Sequence, residues 1–199
     1  MQETIVRFSA LHSAISNAPR PAGMTTEIIA IDGCGGSGKS TFAARLGKLL
    51  GCPVVHTDDF ASWNNVLDWY PRMTEQVMEP LRRNGVARYQ RYDWGTRKLA
   101  EWLEVEPQLY VIVEGVSSSR AEFREFLTYR IYMEADRETR LKRGLERDGV
   151  EALELWRGWM TEEDAYLERD DPMRHADIVV AGSPEMQAKS DSFVSYERK

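Results

Sequence analysis

The stretch 29-IAIDGCGGSGKSTFAARL-46 decides the fold. An apolar run ends at Asp32, four glycines follow between positions 33 and 38, and a helical pattern begins near Lys39. Gly33, Cys34, Gly35, Gly36, Ser37, Gly38, Lys39 and Ser40, with Thr41 behind them, fit the pattern G-x-x-x-x-G-K-S/T. Glycine frees the backbone to turn so that successive N–H groups point inward at one anion. The helix that starts there adds the positive end of its dipole to the same spot. Lys39 is placed to reach the outer phosphates of a nucleotide, and the Ser40 hydroxyl to sit on Mg2+. Phe42, Leu46, Leu49 and Leu50 share one face of the helix, as packing on a sheet requires. A glycine-rich turn with a chance lysine and serine needs neither a strand before it nor an amphipathic helix after it.

Outward from this stretch, short apolar runs alternate with helical patterns. Residues 27–32, 53–57, 109–115, 129–133 and 176–182 read as strands. Several are continuously apolar, as in strands covered on both faces. Residues 40–50, 72–84, 96–104, 120–126, 137–147 and 151–168 read as helices. The alternation predicts an α/β fold, a parallel sheet with helices on both sides. Ile5, Phe8, Leu11, His12 and Ile15 predict one more amphipathic helix over residues 3–17, ended by the prolines and glycine of 17-NAPRPAG-23. The tail from Ser183 is polar.

Composition narrows the function classes. A chain of 199 residues with 42% hydrophobic content suits one domain with one packed core. Its net charge of −6 argues against a broad electrostatic grip on nucleic acid. Two cysteines, Cys34 and Cys52, make no disulfide framework, which is the pattern of a reducing compartment. No apolar run approaches the roughly 20 residues of a membrane span, and the N-terminus lacks a signal-peptide pattern. These features predict a soluble cytoplasmic protein. His12, His56 and His175 form no cluster with cysteine at metal-ligand spacing, so zinc is not indicated.

A phosphate cradle does not by itself name a reaction. A GTPase would show N-K-x-D for guanine, and none occurs; a large ATPase module needs more chain. Small kinases remain. Asp58 and Asp59 in 54-VVHTDDF-60 stand just past the second strand, and Glu114 ends the third. In open parallel sheets ligands sit outside the carboxyl ends of the strands. A carboxylate there can accept the proton of an attacking alcohol or hold a metal-bound water, while the plainer readings are a helix N-cap for the aspartates and a turn residue for Glu114. Asp32 immediately precedes the loop and reads as a structural group orienting loop amides. Trp63, Trp69, Tyr70, Tyr89 and Tyr92 crowd one segment and can wall a pocket for a flat ring. Trp156, Trp159 and Tyr166 recur at helical spacing and read as packing.

The motifs IDGCGGSGKST, HTDDF, YDW at residues 92–94, VIVEG, DRETRLKRGLERD at 136–148 and YLERDDPMRHADIVVAG stand in order over residues 27–182. Together they resemble the uridine kinase-like branch of P-loop kinases, to which pantothenate kinase and phosphoribulokinase are related. The resemblance implies a three-layer fold on a five-stranded parallel sheet, with a helical lid over about 136–168, a substrate-covering segment over about 58–95 and an appended helix within residues 1–22. It implies ATP and Mg2+ as co-substrates. It also implies a small-molecule acceptor, a nucleoside phosphorylated on its 5′-hydroxyl, with no nucleic-acid or membrane partner; a homo-oligomer stays open. By position, Asp58 becomes the catalytic base beside the metal, Asp59 the variable neighbour on the acceptor side, and Ser40 and Glu114 the metal-associated residues. Arg140, Arg143 and Arg147 match the family's lid arginines, and their i, i+3, i+7 spacing puts them on one helix face. Tyr92 and Asp93 match the nucleoside-contacting pair, and Asp68 the ribose-holding aspartate. Adenine would lie near residues 182–185. Arg97 stands where uridine enzymes carry a histidine, which suits an acidic or carbonyl-bearing acceptor, or a pairing with Asp93. Pantothenate, a vitamin riboside or an antibiotic are the other acceptors considered, and a non-catalytic nucleotide-binding module is the other class.

Overall fold

The computed structural model describes residues 2–182 and 191–197. Its strands are β1 (Gln2–Arg7), β2 (Glu27–Asp32), β3 (Val54–His56), β4 (Ala87–Asp93), β5 (Lys98–Val105), β6 (Tyr110–Glu114), β7 (Leu127–Glu134), β8 (Ile178–Ala181) and β9 (Ser192–Glu197). Seven form one sheet in the order β1-β9-β8-β7-β2-β6-β3. Strands β3, β6, β2, β7 and β8 run parallel and make the five-stranded core that the sequence predicts. All six residues of β2 are buried, because this central strand is covered on both faces. The glycine loop leaves its carboxyl end, where the strand order reverses and ligands gather.

Helices α1 (Phe8–Ser16) and α2 (Lys39–Leu50) cover one face. Phe8, Leu11, Ile15, Phe42 and Leu46 pack there on Ile29 and Ile31. On the other face α3 (Tyr70–Met73) runs through a π-helical turn at Thr74–Met78 into α4 (Glu79–Arg82). Met73, Val77, Met78 and Leu81 pack there on Ile28 and Ala30. The alternation along β2 thus feeds two apolar layers, and each such fully buried side chain contributes about 1.5–3 kcal/mol of burial. Helix α5 (Arg137–Asp148) and the long α6 (Leu153–Asp170) cross the carboxyl end of the sheet, and α7 (Pro172–His175) leads back to it. No helix among the described residues is long and apolar enough to cross a membrane.

Three expectations change. Residues 3–17 do not form one helix: β1 pairs antiparallel with β9, and only from Phe8 does the chain turn helical. The appended helix expected within residues 1–22 is therefore a strand followed by a shorter helix. Residues 96–104 are not helical either, since β5 pairs with β4 in a separate two-stranded hairpin. Leu99, Trp102 and Leu103 mimic a helical period, but hairpin pairing sets the conformation. The parallel sheet also gains two antiparallel strands at its edge, β9 and then β1.

Candidate active site

The phosphate loop is held from behind. Asp32 is fully buried and accepts hydrogen bonds from the N–H of Gly33 at 2.6 Å, Ser117 at 3.0 Å and Ser119 at 2.8 Å, the Ser119 hydroxyl at 2.6 Å and the Tyr166 hydroxyl at 2.5 Å. Five donors on one carboxylate fix the point where strand becomes loop. At the front, α2 begins after Gly38 with no side-chain cap and no acid in its first turn, so its free amides stay available to an anion. Gly36 takes φ +78°, and a Cβ there would lie 2.5 Å from the Arg140 carbonyl oxygen. Only glycine fits between the loop and α5.

Lys39 is buried and donates to the Cys34 carbonyl at 2.9 Å. Ser40 Oγ donates to Glu114 Oε1 at 3.0 Å, and His56 Nδ1 lies 2.6 Å from Glu114 Oε2. Burial would raise the Glu114 carboxyl, but His56, Lys39 and Ser40 together hold it below its ordinary range. The hydrogen bond to Glu114 correspondingly raises His56. Asp58 borders the same cavity and is open to its water. The enclosing protein, then the Glu114 charge, push its carboxyl up, against Lys39, Arg147 and His56. Ser40, Glu114 and Asp58 offer oxygen donors only, which fits Mg2+. Among the described residues no group of three or more His, Cys, Asp or Glu side chains is arranged to hold a metal alone. Burial pushes the Cys34 thiol up to about 12, so it stays protonated and unreactive.

The three arginines of α5 do three different things. Arg140 is buried and bonds Glu163 at 2.9 Å. Arg143 donates to the carbonyls of Gly36 at 2.9 Å and Gly182 at 2.8 Å. Arg147 is exposed and pairs with Asp148 at 2.7 Å. Glu163 is the residue that sequence reasoning missed. It is fully buried, and its Oε1 accepts the Gly35 N–H at 2.6 Å and Trp159 Nε1–H at 2.9 Å. Burial raises its carboxyl, with the Gly35 amide, Lys39 and Arg140 opposing. A signal was present: Trp156, Trp159, Glu163, Tyr166 and Asp170 lie on one face of α6, and acids on an aromatic face need partners.

One cavity of about 840 Å³ is lined by Gly35, Gly36 and residues 38–41 of the loop, Asp58, Glu114, Arg143, Arg147 and four tryptophans, Trp63, Trp94, Trp156 and Trp159. Trp156 and Trp159 therefore do more than pack. The residues expected around the acceptor do not meet there. Asp59 is turned toward Tyr89, whose hydroxyl donates to it at 3.2 Å. Asp68 lines an adjoining groove with Asn64 and Arg169, which shares Trp63, Leu155 and Trp159 with the cavity. Asp93 caps the hairpin turn by accepting the Thr96 N–H at 2.7 Å, and its arginine partner is Arg91 rather than Arg97. Arg97 sits exposed in that turn at φ +56°, and Tyr92 packs on Trp94 with ring centroids 5.4 Å apart. The expected adenine position at residues 183–185 lies outside the described residues; Gly182 is bound by Arg143.

The protein family described as AAA domain matches residues 29–167, from within the strand before the phosphate loop to the last turn of the helix that carries Glu163. The chain belongs to this family. Among solved structures, a protein described as a "Possible Uridine Kinase" from Bacillus stearothermophilus is 24% identical, with a TM-score of 0.66 over 87% of this chain and 96% of its own. A protein described as a fructose transport system kinase from a Silicibacter species is 19% identical, with a TM-score of 0.65 over 83% of this chain and 95% of its own. No curated protein sequence matches the chain. The fold is that of the uridine kinase-like P-loop kinases.

Proposed function

We propose that the protein is an ATP- and Mg2+-dependent small-molecule kinase that transfers the γ-phosphate to the primary hydroxyl of a nucleoside-like acceptor. One observation carries the proposal: the phosphate loop and the Asp58 carboxylate border a single cavity. In this reading the loop amides and Lys39 bind the terminal phosphates. Ser40 and Glu114, with Asp58 beside them, hold Mg2+, whose chemistry here is to neutralise charge on those phosphates. Asp58 accepts the proton of the attacking hydroxyl and aims its oxygen; its raised affinity for protons suits that task. Arg143 and Arg147 stand where charge on the transferring group can be balanced, and Arg140 supports the loop through Glu163.

A second reading keeps the reaction and changes the acceptor. Asp68, Tyr92, Asp93 and Arg97 do not line the cavity, which favours an alcohol read without them. Coupled ADP release across a panel of nucleosides, pantothenate and aminoglycosides separates the two. Turnover with a nucleoside is expected; silence of every nucleoside alongside turnover of another alcohol replaces the acceptor. ATP bound tightly with no alcohol turned over removes the kinase.

A further inference from the structure

Among the described residues β1 is the outermost strand of the sheet, bonded to β9 on one side only. Its register against β9 runs without a break from Gln2↔Glu197 to Arg7↔Ser192. One step further on, the Phe8 N–H donates to the Asp191 carbonyl at 2.9 Å. Backbone groups alternate sides along a strand, so Gln2, Thr4 and Val6 turn theirs to β9 as Phe8 does. Glu3, Ile5 and Arg7 turn their N–H and C=O groups the other way, out from the sheet. The same alternation sorts the side chains. Val6 packs against the core that holds Phe8 and Leu11, whereas Glu3, Ile5 and Arg7 are exposed, Ile5 at 67%.

A sheet edge of this kind is a template for another strand. The usual devices that blunt such an edge are missing here. Strand β1 has no proline, no lysine and no bulge, and Thr4, Ile5 and Val6 are β-branched in a row. Its exposed row carries one acid and one base, each two residues from Ile5. That row is self-complementary. When a second copy lies antiparallel with Ile5 opposite Ile5, Glu3 of each chain faces Arg7 of the other. Every outward N–H then meets an outward carbonyl. A shift of one residue sets outward groups against groups already turned to β9, and a shift of two sets a charge against Ile5. Charge, apolar contact and hydrogen bonding thus select one register.

We infer that a second copy of this chain docks on β1, antiparallel and centred on Ile5, so that two sheets become one across a twofold axis. The contact is a strand edge and one apolar side chain from each copy, which makes a weak dimer with a dissociation constant of about 10–100 µM. Sedimentation equilibrium of the full chain, in reducing buffer so that Cys52 cannot link copies, should show monomer and dimer exchanging over that range. Glu3→Arg and Arg7→Glu each set like charges opposite one another and should weaken the dimer about 10-fold or more. Mixed in equal amounts, the two variants should regain it, because the introduced arginine faces the introduced glutamate and the native Glu3 faces the native Arg7. Ile5→Pro removes an outward N–H and leaves the bonds to β9, so it should abolish the dimer with the unfolding midpoint of the monomer little changed; Ile5→Lys serves if that variant does not fold. Amide exchange reads the register: on concentrating the wild type, the N–H groups of Glu3, Ile5 and Arg7 should slow, while those of Thr4 and Val6 should not change. A chain that stays monomeric well above that range, a dimer indifferent to changes at Glu3, Ile5 and Arg7, growth beyond the dimer, or charge variants that do not recover on mixing would overturn the inference.

Discussion

At the scale of single residues the site is a set of charges held in fixed relation. Glu114 sits between Ser40 and His56, and its pair with His56 has a definite pH signature. The histidine is raised above its ordinary 6.5 by the hydrogen bond to Glu114, so its contribution to stability is complete below 6.5 and is lost as pH rises through the raised value. Glu114 is held below its ordinary 4.5, so its contribution is complete above 4.5 and is lost as pH falls through the depressed value. The difference in unfolding midpoint between wild type and His56→Gln should therefore be largest between pH 4.5 and 6.5 and shrink as pH rises further; a difference flat across pH would remove the pair as an ionic one. Lys39, Ser40, Asp58 and Glu114 are legible in the sequence because short motifs at strand ends bring them together. His56 passes as ordinary because its role depends on which strand lies beside β3. Asp68, Tyr92, Asp93 and Arg97, which motif reasoning put around the acceptor, do not line the cavity. A local hairpin turn captures Asp93 and Arg97, and Asp68 lies in the groove that adjoins the cavity across Trp63 and Trp159.

At the scale of elements, α5 and α6 close over the loop as a clamped pair. Trp156 packs where a Cβ at Gly35 would lie 3.1 Å from its ring, and Arg140 and Glu163 bury an ion pair beneath it. Removing one partner of a buried pair leaves the other uncompensated, at about 3–5 kcal/mol. Glu163→Ala should cost that much in denaturant unfolding and loosen amide exchange in α6 and at Gly35. A loss under about 1 kcal/mol would show that the pair does not hold α6 to α5. The arginine stripe at i, i+3, i+7 is readable in the sequence; its division into a buried support, a loop clasp and an exposed charge is not, because burial comes from α6. Residues 96–104 mislead for the same reason, since Leu99 and Trp102 have a helical period and only β4 makes them a strand.

At the scale of the whole molecule, the strand order places the loop, Asp58 and Glu114 at one end of one sheet. Alternating apolar runs and helices announce the parallel sheet but not its strand order, and the antiparallel edge is invisible, because β1 and β9 lie far apart in the sequence. Phe193 of β9 is fully buried, with ring centroids 5.1 Å from Phe8 and 5.2 Å from Phe42, so the tail locks the helix that follows the phosphate loop. Phe193→Ala should cost about 3–5 kcal/mol and weaken nucleotide binding through α2; an unchanged unfolding midpoint would detach the tail from the core. The decisive measurement is phosphorus NMR of wild type and Asp58→Asn turning over Mg·ATP with a nucleoside acceptor. Wild type should yield ADP and a phosphomonoester in equal amounts. The variant should bind a non-hydrolysable ATP analogue about as well and run about 10²–10⁴ slower. ADP accompanied only by inorganic phosphate, or an Asp58→Asn enzyme at near-normal speed, would contradict the account.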